Sequence, residues 1–243
     1  MSREYRSEEP AASTAKIIVA IDGPAGAGKS TIARHLARHF GLLNLETGAM
    51  YRAFALKALR AALSLDDGAE LERLAGNTIL HLVPTAGENR VFLDGEDVTA
   101  QLRNPEVTDA ASRVSVFPVI RAWMVHMQQQ MATGNGVVME GRDIGTVVFP
   151  HAEVKIFLDA APEVRGMRRF EQMGAGQAGR QADQQPQEVI RELRERDRRD
   201  RNRADSPLRP AEDAVVLDST NMTLEEVLKA AERIVEEKLD SLA

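Results

Sequence analysis

The chain has 243 residues, 43% hydrophobic and 28% charged, which is typical of a soluble globular protein with one large domain or two small ones. A formal net charge of −6 argues against a protein that coats nucleic acid or an anionic membrane, and the absence of cysteine excludes disulfides, thiol nucleophiles and thiolate zinc sites. Only six of the 31 basic residues are Lys, so Arg, whose planar fork suits phosphate and carboxylate, dominates the cations.

The first segment, residues 1–15, is polar and charged and has no apolar stretch, which predicts a disordered tail rather than a signal peptide. No apolar run approaches the ~20 residues that a membrane span needs. With no cysteine in the chain, we expect a cytoplasmic protein. The acidic net charge and the lack of an apolar span predict neither a nucleic-acid nor a membrane partner, and we further expect a monomer with a small-molecule substrate.

Short β-branched apolar runs alternate with amphipathic runs along the chain, which indicates an α/β fold. Strands are predicted at 17–21, 42–45, 137–139, 154–158 and 215–217. Helices are predicted at 29–40, 50–63, 118–131, 162–173, about 186–203 and from 223, with another helix start at 104–106. Strands at 78–83, 90–93 and 96–98 predict a small antiparallel insert. The alternation predicts a parallel sheet with helices on both faces, and the Gly- and Gln-rich residues 174–185 predict a mobile loop.

A glycine-rich turn follows the first predicted strand. Residues 23–30, GPAGAGKS, match GxxxxGK[ST] without a gap and lead into a helix, which is the context that this phosphate-binding motif requires. The spacing does not fit GxGxxG, so a dinucleotide site is not favoured. Lys29 would lie between the β- and γ-phosphates, and the Ser30 hydroxyl can ligate Mg²⁺. The predicted ATP-binding residues are Gly23, Pro24, Ala25, Gly26, Ala27, Gly28, Lys29, Ser30, Thr31 and Arg165. The motif alone does not distinguish a kinase from a GTPase or a motor.

Further motifs make the chain resemble the bacterial cytidylate kinases from residue 17 to about 238. They are IDGPAGAGKST (21–31), TGAMYR (47–52), GRDIGTVVFP (141–150), KIFLDA (155–160) and RERDRRDRNR (194–203). The resemblance implies ATP-dependent phosphorylation of CMP and dCMP on a P-loop NTPase fold with a five-stranded parallel sheet. It also implies a kinase domain over 16–243, with a nucleotide-monophosphate insert at about 76–115 and a lid at about 165–186.

The resemblance also implies a site for the acceptor nucleotide. Its residues would be Thr47, Arg52, Ser112, Arg121, Arg142, Asp143, Arg196 and Asp200. Within this set, Asp143 and Ser112 would face the amino group of cytosine, and Arg121 would face the ring acceptors. Uracil would turn O4 toward Asp143, and such a mismatch costs about 1–3 kcal/mol per unpaired buried group. Glu46, before the TG step, stands where the family usually has Asp.

Charge compensation during phosphoryl transfer is expected from four cations. These are Lys29, Arg142, Arg196 and Arg203. Arg196, Asp200 and Arg203 share one helix face because they are four and three residues apart. The resemblance implies that Arg196 and Asp200 contact the ribose and that Arg203 lies near the transferred group, while Arg52 and Arg142 hold the acceptor phosphate. Arg165 would belong to a lid over ATP. The remaining charges of 191–203 are interpreted as ion pairs on a solvated helix.

Two alternatives stay open on the residues alone. One is a P-loop kinase for another monophosphate such as UMP or AMP. The other is an RNA-binding or regulatory P-loop ATPase that uses the Arg-rich helix, against which the acidic total and the few aromatic residues argue.

Two weaker signals remain. His35 and His39 are four residues apart on a predicted helix, but they lack the Glu of HExxH and a third ligand, so they are interpreted as exposed polar positions. Residues 218–220, after the last predicted strand, are expected to border the adenine of ATP.

Overall fold

The computed structural model describes residues 17–84, 89–176 and 185–242. The predicted tail and residues 177–184 of the predicted lid lie outside the described residues. The strands are β1 (Ile18–Asp22), β2 (Leu43–Glu46), β3 (Leu80–Val83), β4 (Arg90–Leu93), β5 (Glu96–Asp97), β6 (Val137–Gly141), β7 (Val154–Asp159) and β8 (Val215–Asp218). The helices are α1 (Lys29–Phe40), α2 (Thr47–Arg60), α3 (Gly68–Gly76), α4 (Pro105–Val114), α5 (Pro118–Met131), α6 (Pro162–Gly176), α7 (Pro186–Arg201) and α8 (Leu224–Leu242). A 3₁₀ turn spans Thr99–Arg103 and a π-helical turn spans Ile144–Val148.

Five of the strands form one parallel sheet in the order β2-β6-β1-β7-β8, which confirms the predicted α/β fold. The central strand β1 pairs with β6 on one side and β7 on the other. Its Val19 and Ile21 are fully buried, as expected for a parallel strand covered on both faces. The register aligns Asp22 with Gly141, and Glu46 with Glu140. The loops after these strands therefore open at one edge of the sheet, where α/β folds bind their ligands.

Apolar cores lie on both faces of this sheet. On one face, α1 and α8 pack their apolar sides, including Leu36 and Val235, against β1 and β7. On the other face, α2, α4 and α5 pack around Phe54 and Met124. Within the described residues, no helix combines the length and apolarity that a membrane crossing requires.

The remaining strands, β3, β4 and β5, form the predicted antiparallel sheet. No helix is predicted before it, yet α3 forms there. The Asp67 side chain accepts the N–H groups of Ala69 and Glu70, each at 3.0 Å, and this cap compensates for the short length of the helix. Leu71 and Ala75 then bury its apolar side.

Candidate active site

The P-loop forms the turn between β1 and α1. Gly23, Gly26 and Gly28 have φ values of 149°, 75° and 100°, which L side chains rarely adopt. A Cβ on Gly23 would lie 2.0 Å from the carbonyl oxygen of Leu158, so the turn runs directly against β7. The backbone N–H groups of the loop can therefore curl toward one point at the N-terminus of α1, which is the arrangement that binds phosphates.

Lys29 begins α1 and is buried, and its Nζ donates to the carbonyl oxygen of Pro24 at 2.7 Å. Burial lowers the pKa of Lys29, and the nearby Arg142 and Arg196 lower it further, while Glu140 opposes them. Lys29, Arg142 and Arg196 are all positively charged, so an anion bound between them would be stabilised by all three side chains.

Glu140 is a buried carboxylate that the motifs do not reveal. It lies next to the end of β6 and is only 5% exposed. Burial raises its pKa, repulsion from Glu46 adds to this, and Lys29 and a hydrogen bond from Ser30 oppose it. Among the described residues, its Oε1 has no hydrogen-bond partner. The donor set of a serine hydroxyl and two carboxylates consists of hard oxygens, so it fits Mg²⁺.

Two of the residues predicted to read cytosine, Arg121 and Asp143, form a buried ion pair. Arg121 on α5 is 2% exposed and donates from Nη2 to Oδ2 of Asp143, which follows β6. The guanidinium lies 5.9 Å from the ring centre of Tyr51. Ser112 on α4 is buried, and its hydroxyl has no hydrogen-bond partner among the described residues. All three side chains predicted to read cytosine are therefore buried, and two of them are in contact.

The expected cations meet around Asp200 of α7. Arg196 lies on α7 and Arg142 follows β6, whereas Arg203 lies two residues beyond the end of α7 and so does not share its helix face as expected. Arg142 donates from Nε to Asp200 at 2.8 Å, and Arg203 approaches the other oxygen of Asp200 at 3.9 Å. Burial lowers the pKa of Arg196 to about 10, with Arg142 as the next cause. Burial also lowers the pKa of Arg203, and the next largest cause of this shift is the charge of Arg121. The charges that act on Arg196 thus include Arg142 and Asp200, and those that act on Arg203 include Arg121 and Asp143. The roles that the resemblance implies for Arg196 and Arg203 stay predictions.

The two remaining acceptor residues follow β2. Thr47 donates from Oγ1 to the carbonyl oxygen of Glu140 at 2.7 Å, which joins the start of α2 to the end of β6. Arg52, one turn further along α2, donates to the carboxylate of Glu46. Arg52 is thus held at the sheet edge by a carboxylate that an incoming phosphate would have to replace.

Arg165, which the resemblance assigns to a lid over ATP, is buried against the P-loop. It is 2% exposed and donates to the carbonyl oxygens of Ala160 and Ala25 at 2.7 and 2.8 Å. Its Nη2 forms an ion pair with Asp197 of α7 at 2.6 Å. This side chain therefore supports the P-loop backbone through Ala25, and it also lines a cavity where β7 and β8 end. Its contact with ATP stays a prediction.

Asp22 is a second buried carboxylate that the motifs do not reveal. Its two oxygens accept the N–H groups of Ile144 and Gly145 at 2.8 and 2.7 Å, and so hold the π-helical turn that follows Asp143. Burial raises its pKa to about 6, although the two N–H donors oppose the shift. The only signal in the sequence is a carboxylate at the end of a buried strand.

A cavity of about 520 Å³ opens beside the P-loop, where β7 and β8 end. Its lining residues include Asp159, Ala160, Arg165, Arg198, Arg201, Asp218 and Thr220. The loop that the sequence predicted to border adenine thus contributes two residues to its wall.

Comparison with known proteins places this geometry in a family. The cytidylate kinase family model matches residues 19–237. The cytidylate kinase of Pasteurella multocida is 45% identical over 93% of this chain and 97% of its own length. That of Pelotomaculum thermopropionicum is 53% identical over 87% and 92%. A solved shikimate kinase from Bacteroides thetaiotaomicron covers 92% of this chain and 98% of its own, at 13% identity and a TM-score of 0.45. The chain therefore belongs to the cytidylate kinase family.

Proposed function

We propose that this cleft carries out the ATP-dependent phosphorylation of CMP and dCMP with the donor on one side of the P-loop and the acceptor on the other. The observation that supports this division most is the buried Arg121–Asp143 pair beside the end of β6, with the unpaired Ser112 hydroxyl on α4. The cavity at the ends of β7 and β8 lies on the other side of the central strand.

Cytosine is the base that such a set of groups suits. Its amino group is a donor that Asp143 and the Ser112 hydroxyl can accept, and its N3 and O2 are acceptors that Arg121 can serve. Because the site is buried, a base that presents O4 in place of the amino group would set this acceptor against the Asp143 carboxylate and leave both acceptors unpaired. The cost of about 1–3 kcal/mol per unpaired group corresponds to roughly 10- to 100-fold discrimination against UMP.

Phosphoryl transfer in this cleft depends on charge compensation rather than covalent catalysis. Arg52 and Arg142 would hold the acceptor phosphate by exchanging Glu46 and Asp200 for its oxygens. Lys29 and Arg196 would compensate the charge that develops on the transferred group. The attacking phosphate oxygen is already anionic, so no general base is needed. Arg203, which approaches Asp200 at 3.9 Å and whose pKa is lowered by burial and by Arg121, would position the nucleoside.

Magnesium would be held by oxygen donors at the end of β6. Glu140, with an unpartnered oxygen, Glu46 and the Ser30 hydroxyl provide these donors. When bound, the ion would neutralise part of the charge on the phosphates of ATP. Glu46 is longer by one methylene group than the aspartate usual at this position, and Glu140 can share its role.

The adenosine of ATP would occupy the cavity at the ends of β7 and β8. Its volume of about 520 Å³ is within the range of small-ligand pockets. Arg198 and Arg201 line it, and their guanidinium planes can stack on a base. We further propose that the enzyme is a cytoplasmic monomer, and light scattering of the purified chain would test its oligomeric state.

The proposal is tested by measuring ADP release from ATP and Mg²⁺ with a panel of acceptors. We expect turnover with CMP and dCMP and a kcat/KM at least tenfold lower with UMP, AMP and shikimate. An absence of preference for CMP or dCMP would overturn the proposal. Steeply salt-dependent RNA binding without turnover of any acceptor would instead support the RNA-binding ATPase.

A further inference from the structure

A cluster of metal-ligating side chains lies on the opposite end of α1 from the P-loop. His35 and His39, on one face of α1, meet Glu232 of α8. The Nε2 atom of His35 lies 2.5 Å from Oε1 of Glu232, and Nδ1 of His39 lies 3.2 Å from the same oxygen. One ligand atom from each residue lies within 4.8 Å of the others. Glu232 thus supplies a third side chain of a type that ligates metals, which the sequence does not reveal.

Two imidazoles and a carboxylate suit a borderline transition metal rather than Mg²⁺. Histidines spaced by four residues on a helix can bind one zinc ion together, and a third ligand from another segment completes such a site. Zn–N bonds of ~2.0 Å place the ligand atoms roughly 3–3.5 Å apart, so the contact between His39 and Glu232 already has this spacing. The hydrogen bond of His35 would have to lengthen by less than about 1 Å.

The three side chains are partly exposed, at 27%, 44% and 22% for His35, His39 and Glu232. Solvent can therefore reach the cluster, and water can fill a fourth coordination position. We propose that His35, His39 and Glu232 form a surface site for Zn²⁺ or a similar divalent transition metal, which links α1 to α8.

The site lies away from the chemistry. His39 is ten residues beyond Lys29, which corresponds to ~15 Å along the helix. A metal here would fasten the helix that begins at the P-loop to the last helix of the chain. We therefore expect the metal to raise thermal stability without changing kcat, because a ligand that binds only the folded state stabilises it.

The test is a calorimetric titration of ZnCl₂ into metal-free full-length protein without a histidine tag, in excess Mg²⁺. We expect one Zn²⁺ per chain. His39→Ala and Glu232→Gln should each weaken binding at least tenfold, since each removes a ligand. His126→Ala is the matched control, because this exposed histidine on α5 lies outside the cluster, and it should leave the affinity unchanged.

Thermal unfolding provides the second readout. Zn²⁺ should raise the Tm of the wild type and of His126→Ala by several degrees, and have little effect on the two cluster variants. An absence of Zn²⁺ binding would show that the cluster is an ion pair only and would overturn the proposal. Binding that survives both cluster substitutions, or that Glu140→Gln abolishes, would place the metal elsewhere and also overturn it.

Discussion

Asp143 has two partners in the catalytic cycle that we propose. In the structure Asp143 forms a buried ion pair with Arg121. With substrate bound, it would accept a hydrogen bond from the amino group of cytosine. Removing one member of a buried ion pair leaves the other charge uncompensated. Asp143→Ala would therefore lower the stability of the fold as well as the binding of cytosine, and the two effects could not be separated. Asparagine also removes the charge, but it keeps the shape of the side chain and one acceptor oxygen for Arg121, so it is the better probe of this residue.

Asp143→Asn should lower kcat/KM for CMP by about 10- to 100-fold, because an amide that donates to Arg121 or to cytosine opposes another donor. The same amide can donate to O4 of uracil, so the UMP to CMP ratio of kcat/KM should rise. Steady-state kinetics with both acceptors measure this change, with equilibrium binding of an ATP analogue as the control. Equal loss of ATP binding and of CMP use would mean that Asp143 is structural.

Helices α6 and α7 are joined to each other and to the P-loop by close contacts. A Cβ on Gly166 of α6 would lie 2.3 Å from Cγ1 of Ile190, so the two helices are in close contact. Arg165 of the same helix joins Ala25 of the P-loop to Asp197 of α7. The helix that carries Arg196 and Asp200 is thus tied to the backbone that binds the phosphates.

Arg165→Met should destabilise the protein by about 3–5 kcal/mol, since it leaves the buried Asp197 carboxylate unpaired. The double variant Arg165→Met/Asp197→Leu should be less destabilised than the sum of its single variants, because it removes both charges together. Urea unfolding of the four proteins measures the cycle. Strictly additive losses would contradict the coupling between these two side chains.

For the whole molecule, the edge of the sheet that binds ligands is also where folding buries carboxyl groups. Asp22 and Glu140 both end neighbouring strands, and burial raises the pKa of each. These groups bind protons more tightly in the folded chain than in the unfolded chain. Their effect on stability therefore depends on pH in a direction opposite to that of a salt-bridged carboxylate.

Asp22 should make the protein less stable as pH rises from about 4 to about 6. Its pKa rises from 3.8 to about 6 on folding, so in this range the folded state holds a proton that the unfolded state has released. The stability that protonated Asp22 contributes amounts to about 3 kcal/mol. It is fully present below about pH 4 and is lost as the pH rises through about 6. Urea unfolding from pH 4 to 7.5 measures the free energy of unfolding of the wild type and of Asp22→Asn. The value for the wild type minus that for the variant should fall as the pH rises. A constant or rising difference would contradict this assignment.

Much of the fold follows from local patterns. The sequence predicts α1 and α5 with the ends that the structure has, because glycine or proline marks one boundary of each. The prediction for α2 starts three residues late, since Thr47 begins the helix directly after β2 with no capping hydrogen bond from a side chain. Helix α3 escapes prediction because it is short and contains glycine at both ends.

Some residues of the candidate site can also be predicted from local patterns, whereas others cannot. The P-loop has fixed spacing and context, so its residues can be predicted without a structure. Glu140 and Asp22 cannot, because each is a single carboxylate at a strand end, and only burial shows its importance. The contact of Glu232 with His35 joins residues that are 197 positions apart, which no local pattern indicates. The support of the P-loop by Arg165 likewise depends on tertiary packing.

The order of the strands has a further consequence. β1, which leads into the P-loop, separates β6 and β2, with the proposed acceptor residues, from β7 and β8, with the cavity for the donor. The two nucleotides would therefore meet only above the central strand. Substitutions beside β2 and β6 could then alter the choice of acceptor and leave the donor unaffected. Substitutions on α7 would affect both nucleotides, because this helix carries Arg196 and Asp200 as well as the cavity-lining Arg198 and Arg201.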